Sequence, residues 1–231
     1  MTSDTIIQKN IDLKKYKCDI ISISKFERNY KMKKILLFMV SISMIIALTA
    51  CTLSNDFQEE DTMKENAIVT IQVKDYGTMV VELNYEAAPN TVTNFVNLAQ
   101  EGFYDGLDFH RIISGFMIQG GGANQPPCTI KGEFSSNGFD NPLNHERGVI
   151  SMARTQVKDS ATSQFFIMHQ DNAHLDGDYA AFGKLIEGFD VLDMIAMVET
   201  DAADRPRNKV IIESVTVDTL GESYEETECV S

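Results

Sequence analysis

The sequence predicts a mainly β protein built on an antiparallel sheet, and three features carry the prediction. The chain between residues 67 and 218 contains about eight short apolar runs of strand length. Only two segments show the spacing of an amphipathic helix, and the links between the runs are dense in Gly, Pro and Asn. Many short strands with turn-rich links are typical of a sandwich or barrel, with helices that cover its open ends.

The first predicted elements are a hairpin and a helix. The β-branched runs AIVTIQV and TMVVEL are separated by KDYG, which places Gly77 at the turn. The next segment predicts a helix, because four apolar residues share one face and are flanked by a cap and a stop. These are Val92, Phe95, Val96 and Ala99, with Asn90 as N-cap and Gly102 as stop.

A second hairpin and several short runs make up the rest of the predicted sheet. The hairpin is FHRIISGFMIQGGG, and the runs GVISMA, SQFFIM and AAFGKL follow it as strand candidates. A second helix is predicted from helical spacing, and the run KVIIESVTV supplies the last strand. Residues 221–231 form a predicted acidic tail after a domain that spans residues 67–220.

The charge of the chain is divided unevenly between its two parts. Residues 1–50 carry 9 Lys and Arg against 4 Asp and Glu, a charge of +5, whereas residues 51–231 carry 11 against 30, a charge of −19. A body this acidic repels the phosphates of nucleic acid, so a nucleic-acid partner is not expected.

The N-terminal part has the features of a targeting segment. Three lysines at positions 31, 33 and 34 precede an apolar run from Ile35 to Leu48, which is shorter than the ~20 residues that a membrane-spanning helix needs. The run ends in LTAC at Cys51, which resembles a bacterial lipobox, whose cysteine is lipidated. Residues 32–50 are therefore interpreted as a lipoprotein signal peptide, and residues 1–31 as an extension that fits neither signal nor domain.

A polar, acidic segment without apolar spacing, residues 51–66, follows the cysteine and predicts a flexible tether. The lipid would hold the protein to the outer side of the cytoplasmic membrane of a bacterium, because a lipobox implies at least two acyl chains and two chains anchor stably. An extracytoplasmic, lipid-anchored location is thus expected.

The second hairpin contains an arginine in an otherwise apolar stretch. If residues 114–116 form a three-residue turn, Arg111 lies directly opposite Gln119 and Ile113 opposite Met117. Gln119 could then accept a hydrogen bond from the guanidinium and orient it beside apolar side chains. The alternative is a solvent-facing arginine in a surface ion pair, and the register alone does not decide between the two.

Cysteines and histidines form no pattern that indicates a metal or a cofactor. The four cysteines fit no zinc spacing, the four histidines are scattered, and no G-x-S-x-G elbow or phosphate-binding loop is present. No metal and no cofactor are therefore predicted. Cys128 and Cys229 could pair outside the cell, and this pairing stays open.

The hairpin FHRIISGFMIQGG closely resembles the signature of the cyclophilins, the peptidyl-prolyl cis-trans isomerases. GVISMAR, SQFFIM and LDGDYAAFGKLIEGFDVLDMI resemble later blocks of that family in the same order, so the resemblance covers about residues 67 to 218. It implies a closed eight-stranded antiparallel barrel capped by two helices, and an enzyme that accelerates rotation about X-Pro bonds.

The resemblance also implies roles for individual residues. Arg111 would be the catalytic arginine, oriented by Gln119, with Phe116 beside them. The other substrate-binding positions would be Met117, Ala153, Arg154, Gln164, Phe166, His174, Leu175 and Tyr179. Many members of the family carry tryptophan where this chain has His174, and the chain contains no tryptophan.

Two functions are consistent with these features. The first is an isomerase that acts, as a monomer, on flexible proline-containing polypeptides outside the membrane. The second is a non-catalytic peptide-binding module or holdase that uses the same groove.

Overall fold

The computed structural model describes residues 65–230, and this part of the chain contains the eight strands and two helices that the sequence predicts. The strands are β1 (Ile68–Val73), β2 (Gly77–Leu83), β3 (Phe109–Ile113), β4 (Met117–Gly120), β5 (Val149–Met152), β6 (Phe165–Met168), β7 (Ala181–Glu187) and β8 (Ile212–Asp218). The helices are α1 (Pro89–Gln100) and α2 (Phe189–Ala196). Residues 1–64, with the predicted signal peptide, Cys51 and all but the last two residues of the predicted tether, lie outside the described residues.

All eight strands belong to one curled antiparallel sheet in the order β3-β4-β6-β5-β7-β2-β1-β8. Alternate residues of β1, such as Val69 and Ile71, are buried, while their neighbours are partly exposed. This period of two gives the sheet one fully apolar inner face. The predicted antiparallel, mainly β architecture is confirmed.

The predicted closure of the barrel is wrong, because the two edge strands do not form a ladder with each other. β3 and β8 are joined only by an isolated bridge between Asp108 and Ile211 and by neighbouring backbone hydrogen bonds. Further along β3, the N–H of Ile112 donates to the carbonyl of Asp204 at 2.8 Å. A loop residue that precedes β8 therefore occupies the edge of β3, and the sheet is an open half-barrel.

The core lies inside the curled sheet and is rich in aromatic rings. Phe95 of α1 stacks on Tyr104 with ring centroids 5.0 Å apart and contacts Phe165 and Phe182 at 5.5 and 5.3 Å. The four apolar residues that predicted the face of α1 are all buried. Because burial of each large apolar side chain contributes roughly 1.5–3 kcal/mol, this helix is held mainly by its inner face.

The N-terminus of α1 is capped differently from the prediction. The helix begins at Pro89, whose missing N–H needs no partner, and Asn90 is already helical. The carboxylate of buried Glu133 accepts hydrogen bonds from the N–H groups of Asn90 and Thr91 at 3.0 and 2.8 Å. A residue more than forty positions away in the chain thus supplies the cap, whereas the predicted stop at Gly102 is confirmed by its left-handed φ of 70°.

The C-terminal segment packs against the domain as a strap, which we define as residues 219–230. Cys229 forms a disulfide with Cys128, a pairing that the sequence left open. The side chain of Asn90 exchanges two hydrogen bonds of 2.9 Å with the backbone of Glu228, and Asn97 donates to the carbonyl of Glu225. The strap therefore covers one side of α1.

We expect loss of this disulfide to lower the stability of the domain. Replacing both Cys128 and Cys229 by Ser should reduce the free energy of unfolding by about 2–4 kcal/mol, because the cross-link restricts the unfolded chain over a separation of 101 residues. Urea unfolding measures the change. Reductant should produce the same loss in the wild type and none in the double variant, and equal stability of all samples would contradict the prediction.

Candidate active site

The β3–β4 hairpin has the register that the sequence predicts. Arg111 pairs with Gln119, and Ile113 with Met117, across a turn in which Gly115 adopts a φ of 75°. The turn is closed by a hydrogen bond of 3.0 Å from the N–H of Phe116 to the carbonyl of Ile113. Arg111 and Gln119 consequently share one face of the hairpin.

That face forms one side of a cleft of about 200 Å³. Nine of the eleven residues predicted for the site line it: Arg111, Phe116, Met117, Gln119, Ala153, Arg154, Phe166, Leu175 and Tyr179. The structure thus brings together residues that are up to 68 positions apart in the sequence. Two predicted residues, Gln164 and His174, are not part of the lining.

The floor of the cleft is apolar and comes from adjacent strands. Gln119 of β4 pairs with Phe166 of β6, so Phe166 lies on the same outer face as the Arg111–Gln119 pair. Phe166 and Met117 are almost fully buried, and they form a small cluster separate from the main core, against which Phe116 and Leu175 pack. This cluster presents a rigid apolar surface to whatever enters the cleft.

The polar groups of the cleft differ from the prediction in their partners. Gln119 donates a hydrogen bond through Nε2 to Oε1 of Gln164 at 3.0 Å and makes none with Arg111. Arg111 instead forms an ion pair, with its Nε 3.4 Å from Oδ2 of Asp204. The predicted orientation of Arg111 by Gln119 is therefore wrong for this structure, because each side chain has a different partner within reach.

Arg154 and Tyr179 form the opposite wall. The guanidinium of Arg154 lies between two rings, with its Cζ 4.7 Å from the centroid of Tyr179 and 5.1 Å from that of Phe134. Its Nε donates to the carbonyl of Asp178 at 2.9 Å. These contacts hold Arg154 against the cleft wall and make its side chain, as well as its backbone, part of the site.

His174 is exposed in the short 3₁₀ turn Ala173–Leu175, where its backbone N–H donates to Oδ1 of Asn172. The same turn places the neighbouring Leu175 in the cleft lining. Gln164 does not line the cleft itself but accepts a hydrogen bond from Gln119, which does.

A buried histidine behind the cleft was not singled out from the sequence. The Nδ1 of His145 lies 2.9 Å from Oδ1 of Asp176, its Nε2 lies 3.1 Å from Oγ of Ser151, and its ring stacks on Phe166 at 6.0 Å. Ser151 is fully buried, so this Ser-His-Asp chain offers no accessible nucleophile. Burial lowers the pKa of His145, and the carboxylate of Asp176 opposes part of that effect.

Asp204 and His145 were missed because no local pattern marks them. Asp204 belongs to the loop between α2 and β8, and His145 to an irregular segment before β5. Each meets the site only through contacts between residues far apart in the sequence.

Residues 65–230 contain no cluster of three or more His, Cys, Asp or Glu side chains with the arrangement of a metal site. The helices of this part of the chain are also too short or too polar to cross a bilayer.

Comparison with known proteins supports a single family. Residues 68–217 match the sequence model described as cyclophilin type peptidyl-prolyl cis-trans isomerase/CLD. Peptidyl-prolyl cis-trans isomerase B of Escherichia coli is 43% identical over 62% of this chain and 94% of its own length. Peptidyl-prolyl cis-trans isomerase A of Dickeya dadantii is 42% identical over 61% of this chain and 80% of its own length.

Solved structures show the same fold. A cyclophilin type peptidyl-prolyl cis-trans isomerase of Cryptosporidium parvum superimposes with a TM-score of 0.60 at 29% identity, over 66% of this chain and 97% of its own. The Cryptosporidium protein was also crystallised in the presence of the dipeptide Ala-Pro.

The half-barrel fold, the cleft and the family match over residues 68–217 together define the class of protein. The chain belongs to the cyclophilin family. It is a peptidyl-prolyl cis-trans isomerase, which favours the enzyme over the non-catalytic binding module.

The buried His145 predicts a pH dependence of stability. The folded state lowers the pKa of His145 below the ordinary value of 6.5, so the unfolded chain binds this proton more readily than the folded one. The neutral histidine therefore contributes its full stability above pH 6.5, and this contribution is lost as the pH falls. Between about pH 7.5 and about pH 5.5, we expect the free energy of unfolding of the wild type to fall more steeply than that of His145→Gln.

Urea unfolding at several pH values checks this expectation. His174→Gln is the matched control, because it removes an exposed histidine from the same region and should keep the pH dependence of the wild type. Parallel pH profiles for the wild type and His145→Gln would contradict the role assigned to His145.

Proposed function

We propose that Arg111 is the catalytic group of the isomerisation and that it acts by hydrogen-bonding the proline nitrogen in the twisted transition state. The barrier to rotation about an amide is about 18–20 kcal/mol and arises from resonance between nitrogen and carbonyl. When the bond twists, the resonance is lost and the nitrogen regains a lone pair. A guanidinium N–H placed there binds the twisted form better than either planar isomer, and this difference lowers the barrier.

The observation that carries this proposal is the position of Arg111 in the cleft. Its side chain lines the cavity together with the apolar floor of Met117 and Phe166, and it is 43% exposed, so it can reach a bound peptide. An apolar floor suits the pyrrolidine ring, which would be held while the acyl side rotates. The reaction requires no nucleophile, metal or proton transfer.

The remaining predicted residues are proposed to hold the peptide on either side of the proline ring. Phe116 and Leu175 border the floor, and Tyr179 forms the wall on which Arg154 rests. The N–H of Ala153 already donates to the carbonyl of Gln164 at 2.9 Å, so a peptide would meet Ala153 through groups other than its N–H. His174 is proposed to contact only the outer part of a bound polypeptide, since it lies outside the lining.

The proposed substrates are flexible proline-containing polypeptides outside the cytoplasmic membrane, with the enzyme anchored by a lipid on Cys51. The lysine-rich start, apolar run and LTAC of the N-terminal segment support this location. The disulfide between Cys128 and Cys229 supports it independently, because disulfides persist mainly in oxidising compartments. A monomer acting alone is proposed, since one chain supplies every residue of the cleft.

We expect Arg111→Ala to lose more than tenfold in kcat/KM for cis-to-trans isomerisation of a short X-Pro peptide, which corresponds to about 1.4 kcal/mol of barrier. The full chain, purified in detergent, is compared with the variant under conditions in which the uncatalysed rate is measured in parallel. Arg207→Ala is the matched control, because it removes an exposed arginine outside the cleft. A variant that keeps the wild-type rate would show that Arg111 is not the catalyst.

The lipid anchor is tested by labelling bacteria that express the protein with a radioactive or clickable fatty acid. The wild type and Cys18→Ser should be labelled and Cys51→Ser should not, because only Cys51 follows the lipobox-like residues. Labelling of Cys51→Ser would contradict the proposed anchor, as would a mature N-terminus upstream of Cys51 in the wild type.

A further inference from the structure

The arginine of the cleft has a carboxylate partner whose presence the sequence did not indicate. Asp204 lies in the loop before β8, and its Oδ2 is 3.4 Å from Nε of Arg111. We infer that Asp204 is a positioning residue for the isomerisation, which holds the guanidinium of Arg111 from its Nε side. This inference rests on the catalytic role proposed for Arg111.

The position of the carboxylate is fixed by the backbone of Asp204. Its carbonyl accepts a hydrogen bond of 2.8 Å from the N–H of Ile112, the residue that follows Arg111 in β3. Its N–H donates to the carbonyl of Asp201 at 3.1 Å. Asp204 is thus hydrogen-bonded to the same strand as the arginine with which it pairs, and this bond fixes the distance between the backbones of the two residues.

The loop itself is closely hydrogen-bonded. Thr200 and Pro206 form an isolated bridge, and the N–H of Asp201 donates to the carbonyl of Arg205 at 2.8 Å. The carboxylate of Asp201 accepts hydrogen bonds from the N–H groups of Ala203 and Arg205 at 2.8 and 3.0 Å. These bonds make the loop a rigid support for the residue at its tip.

Asp204 adopts a left-handed conformation with a φ of 61°. Aspartate and asparagine tolerate this region better than most residues, because their short polar side chains can bond to the local backbone. This property permits a clean test, since Asp204→Asn keeps the backbone preference and removes only the charge.

The ion pair matters for orientation and not for stability. Both side chains are more than two-fifths exposed, and exposed pairs contribute about 0–1 kcal/mol to folding. Within residues 65–230, however, Asp204 is the one side chain that forms an ion pair with the guanidinium of Arg111. Gln119, which faces Arg111 across the hairpin, is hydrogen-bonded to Gln164 instead. With the closest approach at Nε, the terminal Nη groups are left to meet the substrate.

A double-mutant cycle on the full chain in detergent tests the inference. We expect Asp204→Asn to lower kcat/KM for an X-Pro peptide about fivefold, mainly through kcat, because a loosely held guanidinium spends less time in the reactive orientation. In the background of Arg111→Ala, the same substitution should lower the residual rate by less than 1.5-fold. Glu199→Gln, which removes one exposed charge from the same part of the chain, should leave the wild-type rate unchanged.

Two outcomes overturn the inference. One is wild-type kcat/KM in Asp204→Asn, and the other is an equal loss in the presence and absence of Arg111, which would indicate that Asp204 supports only the loop. Failure of the proposed function is recognised separately, because Arg111→Ala alone would then keep the wild-type rate.

A second measurement decides the matter if Asp204→Asn does not fold. The Nε resonance of Arg111 in the wild type, identified by its loss in Arg111→Ala, should be displaced from that of an exposed arginine such as Arg205, because a carboxylate lies 3.4 Å from this nitrogen. A resonance at the same position as that of Arg205 would overturn the inference.

Discussion

The alternation of side chains along β4 and β6 is the constraint on which the rest of the structure depends. The two strands are neighbours in the sheet next to the edge strand β3, and all of their residues are buried except Gln119, which is half-buried. Phe165 points into the aromatic core, whereas the next residue, Phe166, lies on the outer face beneath the cleft. A shift of one residue in register would exchange the two faces, so the core and the cleft floor are specified by the same pairing.

This shared pairing also ties the floor of the active site to the core. The floor is part of a strand whose inner face is locked by Phe95 and Tyr104, so it cannot move without disturbing the core. The wall opposite Arg111 comes from segments outside the sheet and is held by polar and cation–π contacts, such as those of Arg154 with two rings.

Several helices, strands and side chains of the site depend on polar groups that lie far from them in the sequence. Glu133 caps α1, His145 supports Phe166 from behind, and Asp204 pairs with Arg111. Each of these groups satisfies hydrogen-bonding or charge requirements that the local segment leaves open. The disulfide-linked strap supplies hydrogen-bond partners on the outer side of α1. There the side chain of Asn90 binds the strap instead of capping its own helix.

The sequence by itself determined the eight strands, the two helices and the register of the β3–β4 hairpin, because these follow from local periodicity and turn chemistry. It also determined most of the cleft lining through its resemblance to a known family. Only the tertiary structure decided that the barrel stays open, that Glu133 caps α1 and that Arg111 pairs with Asp204 rather than Gln119. These outcomes depend on which distant polar groups come within about 3 Å of one another, and residue spacing along the chain carries no information about that distance.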